Sequence, residues 1–367
     1  MSLPTQQNST SEAVEHTSTG YDFYWLTDTT GTIFGLLTNM LLILAAFKTA
    51  GRKLPSYSYL FIGVGIFDGF FAFTEFATQH QLIVKSGIMY VLPRGLEQRL
   101  SPSLYPIFAL PHGFVTMHGL FIFGALYKFR HDILTRSEAS LSHLLSVLAL
   151  TIASGMFTGI SLVVAIYQTK ERGDEFYISQ LNENWRQDND LKYFMYAVDI
   201  RDIGAMGFFY GGLVFAFIWV TVAAFYTYKA WKFVNATTAQ PSKRTIALQR
   251  QFTLSLIVQT VNAFLFAVIP VALICFSIIF RLDGDFIGTC TLLPLSWLPF
   301  VNSALTIFVV KAYRVYVTSL FSCTKRVNDG NSGSGKQFNA NAQTRWSSSH
   351  SEANGGTRTG DAPSLVI

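Results

Sequence analysis

The stretch FTLSLIVQTVNAFLFAVIPVALICFSIIF, Phe252–Phe280, decides the fold. It contains no Asp, Glu, Lys, Arg or His. About 20 such residues, rising 1.5 Å each, cross the ~30 Å hydrocarbon core of a bilayer. Lys243, Arg244 and Arg250 lie before it, and Arg281 and Asp283 follow, so the run is bounded by charge at both ends. Working outward, six more segments have this character, at about 30–47, 57–76, 105–127, 141–167, 203–226 and 288–310, and none holds a Lys or Arg. They are too long for barrel strands and lack the alternation of barrel strands. The expectation is an all-α integral membrane protein, a seven-transmembrane helix bundle. Residues 1–29 form an N-terminal tail, 30–314 the bundle and 315–367 a tail that is Gly-, Ser- and Asn-rich from Thr324 and reads as mostly disordered. A further apolar stretch, Leu82–Leu92, is interrupted by Lys85 and followed by Pro93-Arg94. It is too short to span and reads as an interfacial segment or a lid.

Composition agrees. Only 13% of residues are charged and mean hydropathy is +0.34, against about 25% charged in soluble proteins. Direction follows from the placement of Lys and Arg. The first, third and fifth connections and the C-terminal segment hold two thirds of the 27 basic residues, but only five of the 22 acidic ones. Those segments face the cytoplasm, so the N-terminus is extracellular and the C-terminus cytoplasmic. Residues 1–20 contain no basic residue and no apolar core of a signal peptide, so the first span acts as an uncleaved anchor. Asn8-Ser9-Thr10 is a glycosylation sequon on the outer side. Three cysteines, Cys275, Cys290 and Cys323, offer no extracellular pair. Cys323, just past the last span, is a candidate for palmitoylation or an inert thiol.

Ionisable groups inside a membrane are rare and mark function. Asp68 and Glu75 are the two carboxylates in the expected spans, seven residues apart on one helix face. Asp68 reads as an interior switch with Asn39 as partner. Glu75 reads as a pocket contact or as a group reaching the outer interface. Asn39, Gln259, Asn262 and Asn302 suit either interhelical hydrogen bonding or a conformational switch. Pro270 in the sixth span, with Pro111, Pro294 and Pro299 elsewhere, supplies kinks or hinges. His112, Thr116 and His118 in the third span, Tyr210 in the fifth, and Ser296 and Trp297 in the seventh could line a mainly apolar pocket, or pack. The acidic connection between Gln168 and Asp202 could cap it. On the inner face Lys128, Arg130, Lys243, Arg244, Arg250 and Arg314 form a cationic rim, either for anionic lipid or for a cytoplasmic partner.

Several motifs carry a resemblance. Ser242-Lys243-Arg244-Thr245, Leu248-Gln249-Arg250-Gln251 and Leu256-Ile257-Val258-Gln259-Thr260, followed by Pro270, form one ordered set. Tyr57-Ser58-Tyr59-Leu60 with Ile66-Phe67-Asp68 forms a second, and Lys311-Ala312-Tyr313-Arg314 a third. Together they resemble the nematode serpentine chemoreceptors of the Str type, in the group that also holds the Srd and Srh receptors. The resemblance covers about Gly31–Arg314. It departs at Asn302-Ser303, where Str members often carry Asp-Pro, and at Lys128, where Arg is usual. It implies a G-protein-coupled olfactory-type receptor whose partners are a small odorant, a heterotrimeric G protein and the lipid bilayer. The implied location is the plasma membrane, with the ciliary membrane of sensory neurons as one site. No cofactor and no nucleic acid is implied.

The alternative is a seven-helix ligand-gated channel or transporter. A retinal protein is excluded because the seventh span has no lysine for a Schiff base. No His, Asp and Glu cluster has catalytic spacing, so the chain does not read as an enzyme. No long internal repeat is present, unlike transporters built from repeated halves.

Overall fold

A computed structural model describes residues 8–53, 55–135, 141–181, 196–236 and 243–328. The spanning helices are α1 (Asn8–Lys53), α2 (Pro55–Thr78), α3 (Tyr105–Thr135) and α4 (Leu141–Arg172), followed after the short α5 (Asp174–Gln180) by three more. α6 runs continuously through Ile203–Met206, a wide π turn at Gly207–Gly211, and Gly212–Ala236. α7 joins Lys243–Ala263, a second π turn at Phe264–Val268, and Ile269–Ile279. α8 is Asp285–Val309, and α9 is Lys311–Asn328. Among the described residues, seven helices are long and apolar enough to cross a membrane. Backbone packing divides the chain into Met1–Ser319 and Leu320–Ile367, the second beginning inside α9.

The first helix differs from the expected 30–47. Its apolar stretch is Phe23–Thr49 and the helix begins at Asn8. Asp28 lies two residues before the expected start of the span, and a carboxylate facing lipid is costly. Here Asp28 turns inward and is 1% exposed, so the helix continues past it. One turn earlier, Tyr24 donates its hydroxyl proton to the His80 carbonyl at 2.7 Å. The C-terminal segment also departs from expectation, since α9 carries helix on to Asn328.

α3 sits centrally, packed against α2, α4 and α6. The wide turn of α7 comes directly before Pro270. Proline has no N–H to return to the carbonyl four residues back, and its ring crowds that carbonyl. An i→i+5 turn just upstream gives the backbone the room it needs.

The bundle also carries a three-stranded antiparallel sheet, which the all-α expectation lacked. β1 (His80–Lys85) pairs with β2 (Ile88–Pro93), and β2 pairs with β3 (Tyr196–Asp199). The β1–β2 turn is Ser86-Gly87, with φ of 53° and 84°. Two positive φ values match the twist of a two-residue hairpin. A Cβ at Gly87 would also meet Arg281 Cγ at 3.0 Å, a tight contact that would press on the Arg281 side chain. Alternation sorts the strands. Leu82, Val84, Met89, Val91, Tyr196 and Val198 point into the bundle core. Ile83, Ile88, Tyr90, Leu92 and Ala197 point the other way, under Tyr177 and Leu181. The segment Leu82–Leu92 is thus a lid that is buried on both faces.

The lid is fixed on several sides. Gly284 N donates to Val84 O at 2.9 Å. A Cβ at Gly288 would lie 2.3 Å from Leu82 O, so α8 starts in direct backbone contact with β1. Thr169 of α4 donates to Ala197 O at 2.8 Å. Asp199 pairs with Arg172 at 3.2 Å and also with Arg201, while Asp202 pairs with Arg172. The acidic connection therefore caps the bundle through β3 and α5. This end is called the sheet end below.

Candidate functional site

The sheet encloses a cavity of about 60 Å³. Leu82, Met89 and Val91 of the lid form its roof, and Leu162, Phe208, Phe209, Val271, Ile274 and Leu292 form most of its walls. Polar groups enter from α3 as His112 and Thr116, and from the sheet as His80 and Tyr196. Among the described residues, no Asp, Glu, Lys or Arg is in the lining. The Thr116 hydroxyl has no hydrogen-bond partner among the described residues. His80 and His112 meet edge to face, with ring centroids 4.4 Å apart. Thr78 Oγ1 lies 3.3 Å from His112 Nδ1. Glu75 Oε1 is 3.6 Å from the same nitrogen, in ionic range but beyond a good hydrogen bond.

Behind the cavity, His80 Nε2 lies 2.8 Å from Glu97 Oε2 and 3.3 Å from the Tyr196 hydroxyl. Glu97 comes from the 3₁₀ turn Leu96–Arg99, which leads from the hairpin toward α3. Burial pushes the Glu97 carboxyl up to about 8 and the His80 imidazole down to about 3. At neutral pH the pair is therefore uncharged, and Glu97 donates its proton to His80 Nε2. Linkage gives the sign of the effect. The raised Glu97 contributes stability that is complete below its unfolded value and is lost as pH rises toward 8. The depressed His80 contributes stability above its unfolded value, lost as pH falls toward 3. Between the two unfolded values the slopes cancel. The pair's contribution to stability is expected to be highest near pH 4.5–6.5 and to fall toward pH 8 by roughly 1.4 kcal/mol per pH unit, a loss read as a lower melting temperature. Glu97→Gln keeps an N–H donor for His80 and should flatten that fall. An unchanged fall in the variant would show that Glu97 is not its source.

The middle of the bundle holds a second polar group. Asn302 Nδ2 donates to Asp68 Oδ2 at 3.3 Å, and Asn262 Nδ2 donates to Asn302 Oδ1 at 2.7 Å. One buried chain thus joins α2, α8 and α7. Gln259 Nε2 extends the α7–α8 contact by donating to Thr306 Oγ1 at 2.6 Å. Asn39 is not part of it. Its amide donates to Gly35 O at 2.9 Å and Pro299 O at 3.0 Å, so it ties α1 to α8, and Asn302 takes the place expected for it beside Asp68.

At the end opposite the sheet, Arg130 Nη2 donates to Thr253 Oγ1 at 2.7 Å, and the Tyr127 hydroxyl lies 3.0 Å from Thr260 Oγ1. These two contacts clasp α3 to α7. Lys128 pairs with Asp132 at 2.7 Å. Arg314 donates to Phe308 O at 2.8 Å and lies over the Phe308 ring. Arg250 is exposed. The side chains of Asn8, Lys243, Arg244 and Cys323 lie outside the described residues.

Of the expected pocket residues, His112 and Thr116 line the cavity and Glu75 stands just behind. Tyr210 does not join them. It is 46% exposed on the outer surface of α6, because the π turn there directs Phe208 and Phe209 inward instead. Trp297 packs between α1 and α8, and its Nε1 would sit 3.0 Å from a Cβ at Gly31. Ser296 is fully buried and donates to Leu293 O at 2.9 Å. The sequence reading missed Asp28, His80, Glu97 and Tyr196.

A family model for the serpentine type 7TM GPCR chemoreceptor Str matches residues 25–318. No curated protein matches the chain. Among solved structures, the chain is similar to the crystal structure of squid rhodopsin, with a TM-score of 0.60, 10% identity, and coverage of 86% of this chain and 93% of that one. At that identity the likeness concerns the fold alone, and that fold is the seven-helix bundle described above. The chain belongs to the Str family of serpentine seven-transmembrane chemoreceptors.

Proposed function

We propose that this chain is a G-protein-coupled chemosensory receptor of the plasma membrane. It binds a small cue under the sheet and signals from the opposite, basic end. The observation that carries the reading is the roofed cavity, apolar except for a few convergent polar groups. An engineered apolar cavity of about 150 Å³ accepts benzene, so about 60 Å³ favours a molecule of only a few heavy atoms. A larger cue requires the lid to shift. The absence of Asp, Glu, Lys and Arg from the lining favours an uncharged, mainly apolar compound that offers a group to His112 or Thr116.

The route to the other end has physical parts. The cavity walls include Val271, Ile274 and Cys275 of α7, just past Pro270 and the π turn. The same helix carries Asn262 toward Asn302 and Asp68, and then Thr260 and Thr253 toward the α3 clasp. A cue acts only by binding one arrangement of these helices better than the other. In this reading the cue favours an arrangement with α7 withdrawn from Arg130 and Tyr127, which uncovers the basic rim for a G protein. Thr253→Val removes the Arg130 acceptor and should raise ligand-independent signalling severalfold, since a hydrogen bond to a charged group contributes about 1.5–3 kcal/mol. Basal signalling equal to wild type at equal surface expression would remove the clasp from the mechanism.

Orientation rests on the basic connections, which place the sheet end and the N-terminus outside. An N-terminal epitope is expected to label on intact cells, with Asn8 glycosylated. Labelling only after permeabilisation would put the lid in the cytoplasm and defeat the receptor reading as stated.

A further inference from the structure

A groove of about 720 Å³ runs along the outside of the bundle between α3, α4 and α6, away from the roofed cavity. Its walls are Leu150, Ala153, Phe215, Ile218, Trp219 and Val222. Leu150 is 66% and Ile218 45% exposed, so the groove opens sideways toward the membrane. Its polar residues fall at two levels. Near the middle of the bundle, Trp219 Nε1 donates to Ser154 Oγ at 3.3 Å, which closes the inner end. At the basic end stand Lys128, Ser146 and Tyr226, with the Lys128 ammonium 5.8 Å from the Tyr226 ring centre.

Length and charge identify the occupant. From Phe215 to Tyr226 α6 advances ~16 Å, about half of a ~30 Å hydrocarbon core. The groove is therefore one leaflet deep, with its apolar walls at acyl-chain depth and its lysine at headgroup depth. A soluble peptide or a second copy of the chain would not require this division. The Lys128 ammonium pairs with Asp132 at 2.7 Å and stands at the basic mouth of the groove. Lys229 and Lys232 on α6, and Arg130 on α3, add positive charge at the same end. Asp132 is the acidic side chain among them.

We propose that the α3–α4–α6 groove is a binding site for one anionic glycerophospholipid, an acyl chain lying along Trp219 and the phosphate reaching Lys128. The site lies at the same end of the bundle as the Arg130–Thr253 contact. The proposal does not depend on the odorant reading, because it concerns a different surface and its test needs no cue.

The test uses the full chain in nanodiscs made from equal parts phosphatidylcholine and phosphatidylserine. After transfer to detergent, the lipid retained is weighed by native mass spectrometry. The expected result is retention of one phosphatidylserine in preference to phosphatidylcholine. Lys128→Gln should retain about fivefold less phosphatidylserine, the loss expected for one lysine near an anionic surface. Ala153→Phe, which fills the groove and leaves the charge, should lose both lipids. A second measurement stands if either variant misfolds. Phosphatidylserine brominated on its acyl chains should quench the fluorescence that Trp219→Phe removes, and do so more than equally brominated phosphatidylcholine. Equal retention and equal quenching by the two lipids overturn the anionic assignment. Unchanged retention in Ala153→Phe, or a lipid-free dimer in place of the lipid-bound monomer, overturns the site.

Discussion

Asp68→Leu is expected to suppress cue-evoked signalling by about 10- to 100-fold while the receptor still reaches the cell surface. The Asp68 carboxylate accepts from Asn302 Nδ2, and Asn302 in turn accepts from Asn262. Leucine removes that acceptor and leaves a buried amide N–H without it, a cost of about 1–3 kcal/mol. Each 1.4 kcal/mol is tenfold in an equilibrium. If the chain Asp68–Asn302–Asn262 distinguishes inactive from active packing, that cost changes the balance between them and not merely the stability of both. Asp68→Asn keeps an oxygen to accept from Asn302 but loses the carboxyl group, so its loss should be smaller. Concentration–response curves normalised to surface expression separate the two. Normal responses in Asp68→Asn and Asp68→Leu would reduce the network to structural glue.

Thr116→Phe is expected to abolish the response to any cue that uses the roofed cavity, an apparent loss of at least about a hundredfold. Thr116 lines a space of about 60 Å³, and a phenyl ring placed there leaves no room for a ligand. Overpacking costs about 1–3 kcal/mol in a well-packed core. Here the ring enters an existing void, so the fold should tolerate it better than ligand binding does. Thr116→Ser is the companion variant. It keeps the hydroxyl that has no partner among the described residues and should respond to the cue at a shifted potency. Full responses in Thr116→Phe would place the ligand elsewhere.

The spanning helices were legible because lipid imposes one rule on every residue of a span, and Phe252–Phe280 obeys it without exception. The central carboxylate was legible for the same reason: Asp68 is conspicuous where charge is expensive. Its partner was not. Asn39 and Asn302 are equally polar, and only the packing of α1 and α8 decides that Asn39 meets the Pro299 carbonyl and Asn302 meets Asp68. Asp28 escaped because a hydropathy run ends at a carboxylate whichever way it points, and the inward turn of that side chain is a tertiary fact.

The lid was half legible. Leu82–Leu92 was visibly too short to span, and Ser86-Gly87 is a turn signal of the kind that marks hairpins. That signal would have turned one apolar segment into two strands. Nothing local announces β3, which joins β2 from more than a hundred residues away. His80, Glu97 and Tyr196 come together only once that strand is in place, so the wall of the cavity could not be assembled from spacing alone. The expected line-up of Tyr210 with His112 failed for a similar reason: the π turn at Gly207–Gly211 alters which residues of α6 face inward.

The most direct test of the central claim is nucleotide exchange on a heterotrimeric G protein by the full chain in nanodiscs, measured with and without a cue identified from a panel of small uncharged compounds. The account predicts that the cue accelerates exchange with the intact chain and fails to do so with Thr116→Phe. A cue-evoked ionic current across a bilayer that contains no G protein, with no change in exchange, would contradict it and return the chain to the channel reading.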